Sequence, residues 1–348
     1  MWVVELSAGK LWGLRRLADA EGRFKMTAVD QRPPIEGLIC ERRGIEAAPY
    51  EEVCAVKALL AEELADGSSA LLVDPYYAYP VAAPVLPPEK GLILTLEDSA
   101  FEESPGGRRS AEIGDWGVEK IKRTGADAVK VLAWYRPDAD PAVVEHQQAF
   151  VARTGEACRR LDLPFVFELL VYPLAGDDYA GDPIRRSEHV LASVEAFADP
   201  RFGVDLFKLE SPVATGDMPD PDADEGSVAG LFTEMGRLAG RPWVMLSAGV
   251  QRDAFERILT FAYRAGASGY LAGRSIWWDA FCRYPDLEAM RAELRADGVP
   301  YMVEINQMTD ESATPWHDHP AFGPEGPTLA GTGGPGFPAG YNDLEGER

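Results

Sequence analysis

Residues Ala128–Trp134 read AVKVLAW, a short apolar run that contains one lysine and precedes a long segment of helical periodicity. Similar runs recur along the chain, each followed by a loop with Gly, Asp or Pro and then by a helix-compatible stretch. The eight runs are Phe24–Asp30, Ser69–Asp74, Gly91–Glu97, Ala128–Trp134, Pro164–Leu170, Asp205–Glu210, Pro242–Ala248 and Ser268–Gly273. Near-continuous apolar runs suit parallel strands covered on both faces, and eight strand–helix units predict a (β/α)₈ barrel, or TIM barrel, in the α/β class.

The segments between the runs carry apolar residues at three- and four-residue spacing, which predicts helices packed around the barrel. These segments are Tyr50–Asp66, Ile113–Thr124, Val143–Leu161, Ser187–Ala198 and Gln251–Ala265. The rival fold is a doubly wound open sheet, but no G-x-G-x-x-G follows the first run. We therefore expect one barrel domain over residues 1–312. Gly and Pro are frequent from residue 313 to 348, which predicts an extended tail.

The composition limits the classes of partner. The 348 residues carry a net charge of −23, which disfavours nucleic acid and anionic membranes, so an anionic substrate needs a local cationic pocket. The four cysteines lack metal-ligand spacing, and no apolar run reaches the roughly 20 residues of a membrane span. We expect a cytoplasmic protein with a small-molecule partner and no metal or cofactor, which could form a homo-oligomer.

Barrel enzymes carry their chemistry at the carboxyl ends of the strands, and these ends are unusually polar here. They hold Asp30, Asp74, Glu97, Lys130, Glu168, Lys208 with Glu210, Ser247 and Arg274. Lys130 and Lys208 interrupt apolar strands, where a desolvated ammonium is costly. Two facing lysines would lower the pKa of one another and leave a neutral amine able to attack a carbonyl. Glu168, on the strand between them, could have a raised pKa and move protons. Simple ion pairing is the alternative interpretation.

The seventh and eighth strand ends suggest an anion site. Ser247 and Gly249 follow one strand and Gly273 and Arg274 follow the next, and barrels often hold phosphate between these two loops. Ordinary turn chemistry is the alternative. After the third strand, Gly106–Arg109 could offer charge to a second anionic group, although a solvated loop explains it equally well.

Six motifs in order resemble the tagatose 1,6-bisphosphate aldolase family of class I aldolases. They are AVDQR at 28–32, GADAVK at 125–130, FEL at 167–169, KLESPV at 208–213, SAGV at 247–250 and GRS at 273–275. The resemblance covers about Leu11 to Trp316 and implies a Schiff-base (β/α)₈ barrel that cleaves a phosphorylated ketose into dihydroxyacetone phosphate and an aldehyde. Some relatives in that family act on sulfofructose phosphate.

The same resemblance implies a role for each motif residue. Lys208 would be the Schiff-base lysine, Glu168 the acid and base, and Lys130 the cation that lowers the pKa of Lys208, with Asp30 near the reacting carbons. The phosphate of the dihydroxyacetone half would be held by Gln31, Arg32, Ser247, Gly249, Gly273 and Arg274. Pro33-Pro34 and the Pro/Gly-rich tail depart from the pattern, so the aldehyde half of the substrate stays open.

Three other functions remain open on the sequence. A sulfofructose-type transaldolase would use the same lysine chemistry. A Mg²⁺-dependent barrel lyase would bind its metal through Asp74, Glu97, Glu168 and Glu210, because carboxylates suit hard cations. A catalytically silent sugar-phosphate-binding barrel would keep the scaffold alone, since a fold does not fix a function.

Overall fold

A computed structural model describes residues 4–174, 176–329 and 337–340, without the side chains of Asp217 and Ala339. Eight strands form a closed barrel in which every neighbouring pair is parallel and the last strand pairs with the first. The strands are β1 Phe24–Ala28, β2 Ala70–Val73, β3 Gly91–Thr95, β4 Ala128–Trp134, β5 Phe165–Leu170, β6 Leu206–Leu209, β7 Trp243–Leu246 and β8 Gly269–Ala272. Each lies within one of the eight predicted runs, and the predicted fold class is confirmed.

Helices surround the barrel in the predicted order, with two shifted starts. The helix expected from Ser187 already begins at Pro183. The helix expected from Ile113 begins at Val118, because Glu112 pairs with Glu97 in an isolated antiparallel bridge. The α-helices are Ala8–Leu17, Pro33–Arg43, Tyr50–Leu64, Ala78–Ala82, Val118–Arg123, Pro141–Arg160, Pro183–Phe197, Ser227–Ala239, Arg252–Arg264, Arg274–Phe281, Leu287–Glu293, Val299–Ser312 and Phe337–Gly340. Among the described residues, none of these helices is long and apolar enough to cross a bilayer.

Strand alternation separates two apolar layers and decides which side chains enter the barrel. Successive side chains of a strand point to opposite faces. In β6, Leu206 packs into the inner cluster with Val166 and Ile93, whereas Phe207 joins the cluster between strands and helices. Lys208 follows two residues after Leu206 and therefore points into the barrel above this apolar layer.

Residues 313–329 differ from the extended tail that we expected over residues 313–348, of which 330–336 and 341–348 lie outside the described residues. Residues Ala313–Leu329 lie against the amino-terminal end of the barrel, where Trp316 and Phe322 are buried in the inner apolar cluster. Residues Thr328–Leu329 also pair in parallel with Glu5–Leu6. The aromatic anchors stand several residues apart among Gly and Pro, so they show no periodicity. Burial of the two rings nonetheless supplies enough apolar contact to hold the segment.

His319 lies in this segment and is 8% exposed, and its Nδ1 accepts a hydrogen bond from the backbone N–H of Ala321 at 3.2 Å. Burial, together with the charge of Arg241, lowers the pKa of His319 to about 4. The unfolded chain protonates this ring near its ordinary pKa of about 6.5. The folded state therefore gains stability above that pH and loses it as the pH falls towards the lowered pKa.

We predict that His319→Asn, which keeps an acceptor at the position of Nδ1, flattens the acid side of the stability profile. Between pH 6.5 and pH 4 the free energy of unfolding should fall less steeply than in the wild type, by about 3 kcal/mol at most. Urea denaturation at a series of pH values measures this difference. The control is His317→Asn, at a neighbour whose side chain is 42% exposed. A variant with the wild-type slope would refute the prediction.

Candidate active site

Lys130 is the centre of a buried ion cluster above the inner apolar layer. Its Nζ lies 2.9 Å from Asp30 Oδ2, 2.6 Å from Glu97 Oε1 and 3.0 Å from Glu168 Oε2. The lysine is 2% exposed, and Thr95, its partner across the β3–β4 pairing, donates a hydrogen bond to Asp30 Oδ2 at 3.2 Å. One ammonium therefore joins carboxylates that follow or belong to three different strands.

Lys208 on β6 contacts the same cluster through Glu168 on the neighbouring strand β5. Lys208 and Glu168 are directly paired residues of β6 and β5, and Lys208 Nζ lies 2.9 Å from Glu168 Oε2. Both side chains are almost completely buried, at 4% and 6% exposed. Glu168 thus lies between the two lysines, as the sequence predicted.

The electrostatics of the cluster are set by competition between burial and charge. Burial alone would raise the pKa of Asp30 and of Glu168, but the charges of Lys130 and Lys208 outweigh it and hold both pKa values below the ordinary range. Burial alone would lower the pKa of Lys130, and Asp30, Glu168 and Glu97 together raise it well above normal. The raised pKa that we expected for Glu168 is therefore wrong, because both of its neighbours are cations within ion-pair distance. The lowered pKa that we expected for Lys130 is also wrong, because three carboxylates surround its ammonium.

Glu97 is the group whose importance the sequence did not reveal. Burial raises its pKa, although Lys130 and Arg32 oppose that effect, and Oε2 of its carboxyl has no hydrogen-bond partner in the structure. Its position at the end of an apolar run was the available signal, but it suggested only a metal ligand. In the structure Glu97 is a carboxyl with one free oxygen beside the two lysines.

All ten residues predicted for the site line one cavity of about 500 Å³ at the carboxyl ends of the strands. These residues are Asp30, Gln31, Arg32, Lys130, Glu168, Lys208, Ser247, Gly249, Gly273 and Arg274. The structure therefore brings them together, while the chemical role of each stays a prediction. Glu97, Phe101, Trp134 and Glu210 line the same cavity and were not in the predicted set.

One side of the cavity is rich in unpaired donors. Arg32 is buried, and its Nε and one terminal nitrogen have no partner, while the other terminal nitrogen donates to the carbonyl of Glu97 at 3.1 Å. Gly273 precedes the helix Arg274–Phe281, and a Cβ there would lie 2.6 Å from the carbonyl oxygen of Ala28, so the backbone can approach closely only as glycine. Guanidinium and helix N-terminal N–H groups bind anions.

The carboxylates of the alternative metal site do not form one group. Asp74 is fully buried in an ion pair with Lys57, and Glu210 pairs with Arg186 at 2.5 Å and accepts from the backbone N–H of Val171 at 2.6 Å. No cluster of three or more His, Cys, Asp or Glu with metal-binding geometry occurs among the residues that the structure describes. The acidic strand ends are explained by ion pairs.

The sequence profile described as "DeoC/LacD family aldolase" matches residues 26–279, which cover all eight strands of the barrel except the first two residues of β1. The chain belongs to this aldolase family. It is 32% identical over 328 residues to the tagatose 1,6-diphosphate aldolase of Listeria monocytogenes serotype 4b, which covers 90% of this chain and 95% of the relative. Tagatose 1,6-diphosphate aldolase 2 of Streptococcus mutans is also 32% identical, over 91% of this chain and 99% of its own length.

Solved structures agree with the fold of this aldolase. A Schiff-base-forming fructose-1,6-bisphosphate aldolase superposes with a TM-score of 0.52 at 17% identity, over 82% of this chain and 98% of that one. The fructose-bisphosphate aldolase of Plasmodium falciparum reaches a TM-score of 0.62 at 13% identity, over 87% and 96% of the two chains. At these identities the likeness concerns the barrel fold alone.

We predict that Lys130→Met destabilises the aldolase more strongly at pH 8 than at pH 5. The substitution leaves three buried carboxylates without their common cation, which typically costs about 3 to 5 kcal/mol for a broken buried pair. Without Lys130 the pKa values of these carboxyls rise above their unfolded values, so the cost grows as the pH rises through them. Chemical denaturation at both pH values measures the difference.

The matched control is Lys57→Met, because Lys57 is also fully buried but pairs with the single carboxylate of Asp74. Its stability loss should depend less on pH than that of Lys130→Met. Equal pH dependence of the two variants would show that the shared cation at Lys130 has no special electrostatic role.

Proposed function

We propose that this aldolase cleaves a phosphorylated ketose to dihydroxyacetone phosphate and an aldehyde through a Schiff base on Lys208. The observation that carries the proposal is the contact of Lys208 Nζ with Glu168 Oε2 at 2.9 Å inside the barrel, because it joins an amine to a proton acceptor within the cavity. The names of the two bacterial relatives support a phosphorylated ketose of the tagatose 1,6-bisphosphate type as the substrate.

Schiff-base formation needs a neutral amine, and Glu168 is placed to provide it. The Lys208 ammonium transfers one proton to the Glu168 carboxylate, and this transfer removes one of the two cations that lower the pKa of Glu168. The amine adds to the C2 carbonyl of the ketose in the same step, and a proton shift from nitrogen to oxygen gives a neutral carbinolamine. The protonated Glu168 returns the proton to the departing hydroxyl, which leaves as water. The product is an iminium ion at C2 covalently bound to Lys208.

Carbon–carbon cleavage follows from the iminium. A carboxylate takes the proton of the C4 hydroxyl, the C3–C4 bond breaks, its electron pair moves into the iminium to form an enamine, and the aldehyde leaves. Asp30 and Glu97 both contact Lys130 beside Lys208 and are the candidate proton acceptors. Protonation of the enamine at C3 and addition of water at C2 then release dihydroxyacetone phosphate and free Lys208.

The donor-rich side of the cavity fits the phosphate on C1. Ser247 and Gly249 follow β7, Gly273 and Arg274 follow β8, and Gln31 and Arg32 follow β1, so these groups adjoin one another on neighbouring strands. Gly249 has a φ of 76°, which turns the backbone beside Arg274. We assign this group to C1 because β7 and β8 follow β6, which carries Lys208.

The proposal includes the setting in which the enzyme works. A sugar phosphate is its small-molecule partner, and a cytoplasmic location is supported by four cysteines that all occur as free thiols. Association into a homo-oligomer stays a prediction.

The test of the proposal is covalent trapping. Incubation with dihydroxyacetone phosphate and sodium borohydride should inactivate the enzyme and add one reduced substrate to the peptide that contains Lys208, as measured by mass spectrometry. Lys208→Arg keeps the cation beside Glu168 but cannot form the adduct. It should fold normally, remain unlabelled and lose more than about 10³-fold in kcat.

Other outcomes identify other functions. Turnover that a chelator abolishes, without trapping on Lys208, would indicate a metal-dependent lyase. Trapping together with transfer of the three-carbon unit to an acceptor aldehyde, without release of dihydroxyacetone phosphate, would indicate a transaldolase. Absence of both trapping and turnover across a panel of ketose phosphates would indicate a binding protein.

A further inference from the structure

Arg108 lies in an aromatic cage beside the cavity, and two rings of this cage, Phe101 and Trp134, line the cavity. The hairpin formed by Glu102–Ser104 and Gly107–Arg109 follows β3 and carries this arginine. The guanidinium carbon lies 4.5 Å from the ring centre of Phe101, 4.6 Å from that of Trp134 and 4.8 Å from that of Tyr172. Contacts of a cation with three ring faces fix its position and tolerate partial loss of water.

The hydrogen-bonding capacity of Arg108 is mostly unused. Its Nε is buried without a partner, and a terminal nitrogen reaches Glu103 Oε1 only at 3.5 Å. The side chain of Glu103 is 70% exposed, so this pair is weak and screened by solvent. A planar guanidinium with free donors matches the geometry of a tetrahedral oxyanion.

The position of the cage relative to Lys208 follows from the order of the strands. Around the barrel the order is β7, β8, β1, β2, β3, β4, β5, β6, so Lys208 on β6 has β8 two strands away on one side and β4 two strands away on the other. The proposed C1 phosphate group lies towards β7 and β8. Trp134 ends β4 and Phe101 follows β3, and both line the cavity on the opposite side of Lys208.

We propose that Arg108 is a specificity-determining residue that binds the anionic group, phosphate or sulfonate, at the far end of the ketose. This inference rests on the proposed function, because the far end is defined by a Schiff base between Lys208 and C2. The ketose is held by its C1 phosphate at β7 and β8 and by C2 at Lys208 of β6. The rest of its carbon chain then extends towards Phe101 and Trp134. The anionic group at the far end of the ketose then reaches the guanidinium of Arg108, which packs against these two rings.

The charge of the chain makes such a residue necessary. With a net charge of −23 the protein repels anions at long range, so a second anionic group needs a local cation. The cations elsewhere on that side are already paired. Arg136 binds Asp138 at 2.8 Å and also Asp177, and Arg186 is held by Glu210. Arg108 and Arg109 both keep a buried Nε without a partner, and of these two only Arg108 packs against Phe101 and Trp134, which line the cavity.

The experiment compares aldehydes in the condensation direction with dihydroxyacetone phosphate. The aldehydes are glyceraldehyde 3-phosphate, sulfolactaldehyde and uncharged glyceraldehyde. Arg108→Gln should lower kcat/KM for the preferred charged aldehyde by about ten- to a hundredfold, with little change for glyceraldehyde. The charged aldehyde that wild-type enzyme prefers identifies the anion as phosphate or sulfonate. Arg108→Lys should restore part of the preference, since a lysine keeps the charge without the planar fork.

Two controls separate this role from a structural one. Arg109→Gln removes the same charge from the next residue of the hairpin, whose side chain is 32% exposed and pairs with Glu102 at 3.5 Å, and it should leave the preference unchanged. Arg274→Gln should lower kcat/KM for all three aldehydes equally, because it acts on the dihydroxyacetone half.

Failure of this inference differs from failure of the proposed function. If Arg108→Gln lowers activity equally for charged and uncharged aldehydes, or leaves the preference intact, Arg108 only supports the hairpin and the inference is overturned. In that case borohydride trapping of dihydroxyacetone phosphate on Lys208 still occurs. If wild-type enzyme shows no trapping, the Schiff-base function itself is wrong.

Discussion

A buried ammonium at Lys130 holds three carboxylates in the interior of the barrel, and the arrangement of the site depends on it. Carboxylates removed from water are unstable unless a cation compensates them, and mutual repulsion would otherwise separate them. Asp30 follows β1, Glu97 follows β3 and Glu168 belongs to β5, while Lys130 comes from β4. A single charge on β4 therefore binds the carboxylates of its two neighbouring strands, β3 and β5, to Asp30 of the non-adjacent β1, and it places Glu168 against Lys208.

The apolar interior at the amino-terminal end of the barrel determines the strength of the interactions between these charges. Beneath the ion cluster the interior is filled by apolar side chains, and the residues around Trp316 and Phe322 close the amino-terminal end. Exclusion of water from below keeps the effective dielectric low, so a contact of about 3 Å between lysine and carboxylate is worth more than at the surface. Residues 313–329, which we expected to belong to an extended tail, thus contribute to the electrostatic environment of the site.

Much of the architecture could be predicted because the same pattern of apolar strand, loop and helix repeats eight times along the sequence. Lys130 and Lys208 were recognisable because a charge inside an apolar run has no simple structural explanation, and the period of two places both in the interior. The direction of the pKa shift of Glu168 could not be predicted, because it depends on which cation lies within 3 Å. Glu97 and the anchors around Trp316 were missed for a similar reason: their partners are distant in sequence and follow no period.

The barrel also separates the catalytic lysine and its carboxylates, which tolerate little substitution, from loop residues that can vary. Lys208 and its carboxylate partner are fixed by strand pairing and by Lys130, so the removal of either charge disturbs several strands. The cage around Arg108 instead comes from the hairpin after β3, the last residue of β4 and the loop after β5, outside the ion cluster. Loops tolerate substitution better than strand interiors. On the proposal above, substitution of Phe101, Arg108 or Tyr172 changes the specificity for the far end of the substrate and leaves the lysine chemistry intact. This separation is the physical condition for one barrel to act on several ketoses.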